Sequence, residues 1–131
     1  MTFDAAHKLI KKGDVLGLRQ ELDKRMSPNL SNQYSWSLLM LAAMEGNTSI
    51  GELLISRGAD VNAINDFGET ALSLAAHKGH VSFVRALLTN GASPDCRPHG
   101  HVLTDWLEVS SGLPPEKIAS ILELINAARP H

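Results

Sequence analysis

Cys96, His99 and His101, spaced Cys-x-x-His-x-His with Asp95 beside the thiol, put soft and borderline metal donors on one short segment. A zinc site needs three or four such groups to converge tetrahedrally. Here no second ligand pair lies nearby in the sequence, and the segment falls where an exposed loop is expected. Tight metal binding is therefore not expected. Two pairs could serve as nucleophile–base dyads, Asp4 with His7 and Cys96 with His99. Neither is accompanied by an orienting third group or an oxyanion hole, which acyl-transfer chemistry requires. The chain also lacks a phosphate loop, a Gly-x-Ser-x-Gly turn and a paired-carboxylate cleft. The expectation is a non-enzyme without cofactor, with a small-ligand or metal-responsive binder using residues 96–101 as the alternative.

The bulk properties agree with a binding module in a reducing compartment. The apolar fraction of 44% and charged fraction of 20% suit one ordinary folded domain over residues 1–131. A net charge of −2 gives no electrostatic reason to expect nucleic acid. Lys11-Lys12 is a small basic spot rather than a patch. The lone Cys96 excludes an internal disulfide framework. Asp4, His7 and Lys8 stand where a signal peptide would need apolar residues, and the longest apolar run is Leu38 to Met44. That run is far short of the roughly 20 residues a membrane helix needs. A cytoplasmic protein without membrane contact is expected.

What must position any functional residue is a repeated element. Glu69-Thr70-Ala71-Leu72-Ser73-Leu74-Ala75-Ala76-His77-Lys78-Gly79-His80 lies 33 residues after Trp36-Ser37-Leu38-Leu39-Met40-Leu41-Ala42-Ala43-Met44-Glu45-Gly46-Asn47. Leu87-Leu88-Thr89-Asn90-Gly91-Ala92 follows Leu54-Ile55-Ser56-Arg57-Gly58-Ala59 at the same offset. A worn earlier copy places Asp4-Ala5-Ala6-His7 in the Thr70 slot and Ser27-Pro28-Asn29 opposite Ser93-Pro94-Asp95. Self-similarity at a period of this size marks a solenoid.

Each unit reads as two short helices and a hairpin loop. Thr70 suits a helix N-cap, and Leu72, Ala75 and Ala76 then share one face. Gly79 suits the left-handed residue that ends a helix. Val81, Val84, Leu87 and Leu88 form the stripe of a second helix closed by Gly91. Pro114-Pro115 starts a last helix running to about Ala127, with Ile118, Ile121, Leu122 and Ile125 as its stripe. Helices this short bury their stripes only by stacking on neighbours.

These residues closely resemble the ankyrin repeat, whose pattern survives in Gly68, Thr70, Leu72, Leu74-Ala75-Ala76, Gly79-His80 and the whole of Gly58-Ala59-Asp60-Val61-Asn62-Ala63. The resemblance implies an all-α solenoid of helix-turn-helix units. Residues 32–64 and 65–97 are clear repeats, with degenerate capping repeats at 4–31 and 98–131. Some positions depart from the pattern. Ala5, Leu38 and Ala71 replace the family's proline, and Ser35 replaces a turn glycine, so that turn is expected to be strained. Gly17 and Gly51 stand where Phe83 and Val84 stand in the better copy, which predicts thinner packing in the N-terminal half. The last copy aligns only with a shift of one or two residues.

By the same resemblance the chain binds another protein through hairpin tips and the exposed ends of the first helices. Tip positions are Gln33, Tyr34 and Trp36, then Asp66, Phe67 and Glu69; helix-end positions are Lys11, Lys12, Met44, Glu45, His77 and Lys78; loop positions are Ile64 and Arg97. Binding energy is expected to centre on Trp36, supported by Tyr34, Phe67 and Met44, types enriched at interface centres. The alternative is that Trp36 folds back onto its own turn and Phe67 packs under a neighbouring hairpin. The resemblance makes His80 and His7 structural and leaves His77 exposed. The expected state is a monomer that acts as an inhibitor, adaptor or immunity-type antidote.

Overall fold

The computed structural model describes residues 2–129. Among them stand eight α-helices: α1 (Phe3–Lys12), α2 (Val15–Asp23), α3 (Leu38–Glu45), α4 (Thr48–Ser56), α5 (Ala71–Lys78), α6 (Val81–Thr89), α7 (Leu103–Ser110) and α8 (Pro115–Ala128). They form four hairpins in two layers. Helices α1, α3, α5 and α7 pack in succession in one layer, and α2, α4, α6 and α8 in the other.

Local chemistry sets the helix ends. The hydroxyls of Thr2, Ser37 and Thr70 accept from the backbone N–H of Ala5, Met40 and Ser73. Ser73 returns the favour to the Thr70 N–H, completing a capping box. The first helix thus begins before Asp4, which lies in its first turn rather than at its cap. Gly13, Gly46 and Gly79 end α1, α3 and α5 at φ of 74°, 71° and 77°, where a side chain would cost backbone strain. The next residue caps the second helix in two units: Asp14 accepts from the Gly17 N–H and Asn47 from the Ile50 N–H. In the third unit His80 makes no such cap. Its Nε2 lies 3.2 Å from the carbonyl oxygen of Met44 in α3, tying this turn to the preceding unit.

The core is continuous through the stack. Ala6, Ala42, Ala43, Ala75 and Ala76 are fully buried and let the first-layer helices approach closely. Leu18, Ile50, Leu54, Phe83, Val84 and Leu87 fill the second layer. The expected thin packing at Gly51 is not found. A Cβ there would stand 2.6 Å from the Phe83 ring, so the large residue of one unit occupies the space left by the small residue of another. At Gly17 a Cβ would meet the capping Asp14 carboxylate at 2.5 Å. The strained turn at Ser35 is present, with φ of 64°.

Loop side chains repeat the period. The Asn29 amide donates to the Gly58 carbonyl at 3.1 Å and accepts from the Asp60 N–H at 2.8 Å. One unit on, Asn62 does the same to Gly91 and Ser93, at 3.1 and 2.7 Å. The equivalent residue in the third unit is Asp95, which faces Arg129 at 4.0 Å. Beyond it the strict register ends, as the alignment had suggested. Helix α5 starts at Ala71 and α7 at Leu103, 32 residues on, while α6 starts at Val81 and α8 at Pro115, 34 on.

Candidate interaction surface

The hairpin tips are built on two asparagines 33 residues apart. Asn32 Oδ1 accepts from the N–H groups of Tyr34 and Trp36, at 2.9 and 3.0 Å. Asn65 Oδ1 accepts from those of Phe67 and Glu69 at the same distances. Each tip is then fastened to the next: the Asp66 N–H donates to the Tyr34 carbonyl at 3.0 Å, and the His99 N–H to the Phe67 carbonyl at 2.8 Å. The backbone therefore fixes adjacent tips side by side.

On this scaffold Tyr34 is 50% exposed and Phe67 48%. Gln33 and Asp66 are exposed beside them, and Ile64 stands on the loop leading to the second tip. At the helix ends Lys11, Lys12, Glu45 and Lys78 are exposed. Trp36 and Met44 are only half-buried positions packed against the core, so each supports the fold as well as offering surface. Glu69 is a correction. It is 8% exposed and does not face outward, because the tip folds over it: the Asn65 amide donates to its Oε1 at 2.9 Å, and His99 Nε2 lies 3.2 Å from its Oε2. A carboxylate with such partners holds two tips together.

His77 is a second correction. It is half-buried rather than exposed, stacks on Trp106 with ring centroids 4.5 Å apart, and its Nε2 lies 3.1 Å from the Ser110 carbonyl oxygen. His99 joins the same group, with its ring 6.0 Å from Phe67 and 5.8 Å from Trp106. Trp106, on α7, was not anticipated as a surface residue. Its only sequence signal was an aromatic beside the apolar pair Leu103 and Leu107, in a copy whose register could not be fixed.

The donors of the Cys96–His101 segment diverge. The Cys96 thiol is half-buried against the Thr70 hydroxyl, His99 turns to Glu69, and His101 is exposed. Burial pushes the Cys96 thiol up from its ordinary value of 9.0, more than its hydrogen bonds draw it down. Among the described residues, no three His, Cys, Asp or Glu side chains converge as metal ligands. On α1 Asp4 is exposed, while His7 is half-buried and lies against Phe3 at a ring distance of 6.2 Å. Among the described residues no helix is long and apolar enough to cross a membrane.

No match was found among curated proteins. A family pattern described as Ankyrin repeats (3 copies) matches residues 3–98. Stacks of this kind are generally protein–protein interaction modules and typically carry no catalytic site. With four stacked hairpins, a 33-residue period written into caps, tips and loops, and this match over most of its length, the chain belongs to the ankyrin-repeat family.

Proposed function

We propose that this chain, acting as one domain over residues 1–131, binds a single protein partner across its tips and first-layer helix ends. The observation that carries the reading is the pair Tyr34 and Phe67. They are half-exposed aromatics on neighbouring tips whose backbones are joined by the Asp66–Tyr34 hydrogen bond. Rigid aromatics lose little side-chain entropy on binding, and preorganised backbone lowers the cost further. Asp66 stands beside Phe67, and Lys11, Lys12, Glu45 and Lys78 add mixed charge at the C-terminal ends of the first-layer helices, suited to the rim of an interface. Trp36 adjoins the first tip and Met44 lies near the C-terminal end of α3, and both half-buried side chains add apolar surface. Neither a nucleic acid nor a membrane surface suits so mixed and sparse a charge pattern. The module works as a cytoplasmic monomer until bound, as an inhibitor, adaptor or immunity-type antidote.

Affinity purification from native lysate identifies the partner, and titration calorimetry then measures it. Tyr34→Ala with Phe67→Ala should weaken binding by about 2 kcal/mol or more, while Gln33→Ala changes little. Unchanged affinity in a folded double variant would refute the reading.

A further inference from the structure

A cleft of about 430 Å³ opens beside the tip surface, lined by His99, His101, Asp105, Trp106, Val109 and Ser110. Val109 is 88% exposed on α7, at the end of a helix whose buried residues are Leu103 and Leu107. Trp106 is held in place from behind and beside: His77 stacks on it, His99 approaches its ring, and Ser110 Oγ donates to its carbonyl at 2.6 Å. The one carboxylate lining the cleft, Asp105, is exposed and pairs with no cation among the described residues.

We propose that this cleft receives an arginine side chain of the partner protein, with the guanidinium paired to Asp105 and laid against the Trp106 indole. The proposal rests on the protein-binding reading above and adds the chemistry of one contact. Charge complementarity selects the occupant. Helix α7 carries Asp105 and Glu108 and no Lys or Arg, so its exposed side is acidic. A partner matched to this helix brings a cation to it. An indole face attracts a cation, and a carboxylate accepts two parallel N–H bonds from a planar guanidinium. Lysine would fill the same charge but not the plane. An acidic side chain would meet Asp105, and a purely apolar one would leave that carboxylate desolvated without a partner.

The test uses the full-length ¹⁵N-labelled protein and the capped peptide acetyl-Gly-Arg-Gly-amide, followed by NMR at the two indole N–H resonances. Peptides with Glu or Leu in place of Arg are the controls. Support requires that the Trp106 indole signal shifts with the Arg peptide and not with the others, and that Asp105→Asn weakens this by about fivefold. An equal shift with the Leu or Glu peptide, or none with Arg, overturns the proposal. Should Asp105→Asn disturb the fold, Val109→Asp, which adds a second carboxylate at the cleft, must strengthen the Arg response; an unchanged or weaker response overturns it. With the purified partner the two readings separate. If Asp105→Asn binds normally while Tyr34→Ala with Phe67→Ala does not, the cleft assignment falls and the tip surface stands. If neither alters binding, both fall.

Discussion

The interface between the second and third hairpins and that between the third and fourth are made by different means. The former repeats what the first and second units do to each other: buried alanines on facing first-layer helices and an asparagine reaching across the loops. The latter keeps the layers but replaces the loop amide with Asp95 and adds His77 and His99 against Trp106. Close-packed small residues need strict register, because an extra methyl group has nowhere to go. Aromatic and imidazole rings with a few hydrogen bonds tolerate the shifts of one residue seen at α7 and α8. The repeated interface is held by register, and the one to the fourth hairpin by rings and hydrogen bonds.

The strongest way to break this arrangement is to remove residues 98–131. That uncovers the second-layer stripe of Val84, Leu87 and Leu88 and the neighbouring Ala75 and Ala76. Each large apolar residue returned to water costs about 1.5 kcal/mol or more, and the patch invites association. The truncated protein should aggregate or melt far below the full-length one. Sedimentation and a thermal scan decide, and a soluble monomer with unchanged Tm would mean the fourth hairpin is not needed to close the stack.

A smaller effect is expected at the repeated interface from Gly51→Ala. The new methyl group meets the Phe83 ring, and overpacking of this kind costs about 2 kcal/mol. Phe83→Leu in the same chain should recover part of that loss. Chemical denaturation of the two singles and the double measures the coupling. No loss from Gly51→Ala alone would show that the ring has room to move.

The smallest effect sharpens the contrast between loops. Asn62→Ala removes two inter-unit hydrogen bonds and should cost about 1 kcal/mol. Asp95→Ala, at an exposed and distant pair, should cost under about 0.5 kcal/mol. Equal losses in denaturation would erase the distinction between the two loops.

The repeated part of the fold was legible because Thr70, Gly79 and the Gly58–Ala63 run fix local geometry by themselves. Tyr34 and Phe67 could be placed on the tips for the same reason. Glu69 could not, since its burial depends on Asn65 folding over it and on His99 arriving from the next unit. His77 was misjudged and Trp106 overlooked for a shared reason: each is defined by the other, across a junction where counting by 33 fails. Gly51 carries the general lesson. A glycine in one copy looked like missing mass until the ring that fills it was found in another.

The asparagine bridges between loops have a direction. In each, the amide nitrogen of the earlier loop donates to a carbonyl of the later one, while its oxygen receives an N–H from beyond. A carboxylate has the oxygen but not the nitrogen. Asp95 can still accept but can no longer give, so the handshake passed from loop 29 to loop 62, and from there to loop 93, is not offered onward in the same form. One nitrogen exchanged for oxygen removes the donor, and the third loop meets the fourth hairpin through a longer pair with Arg129 instead.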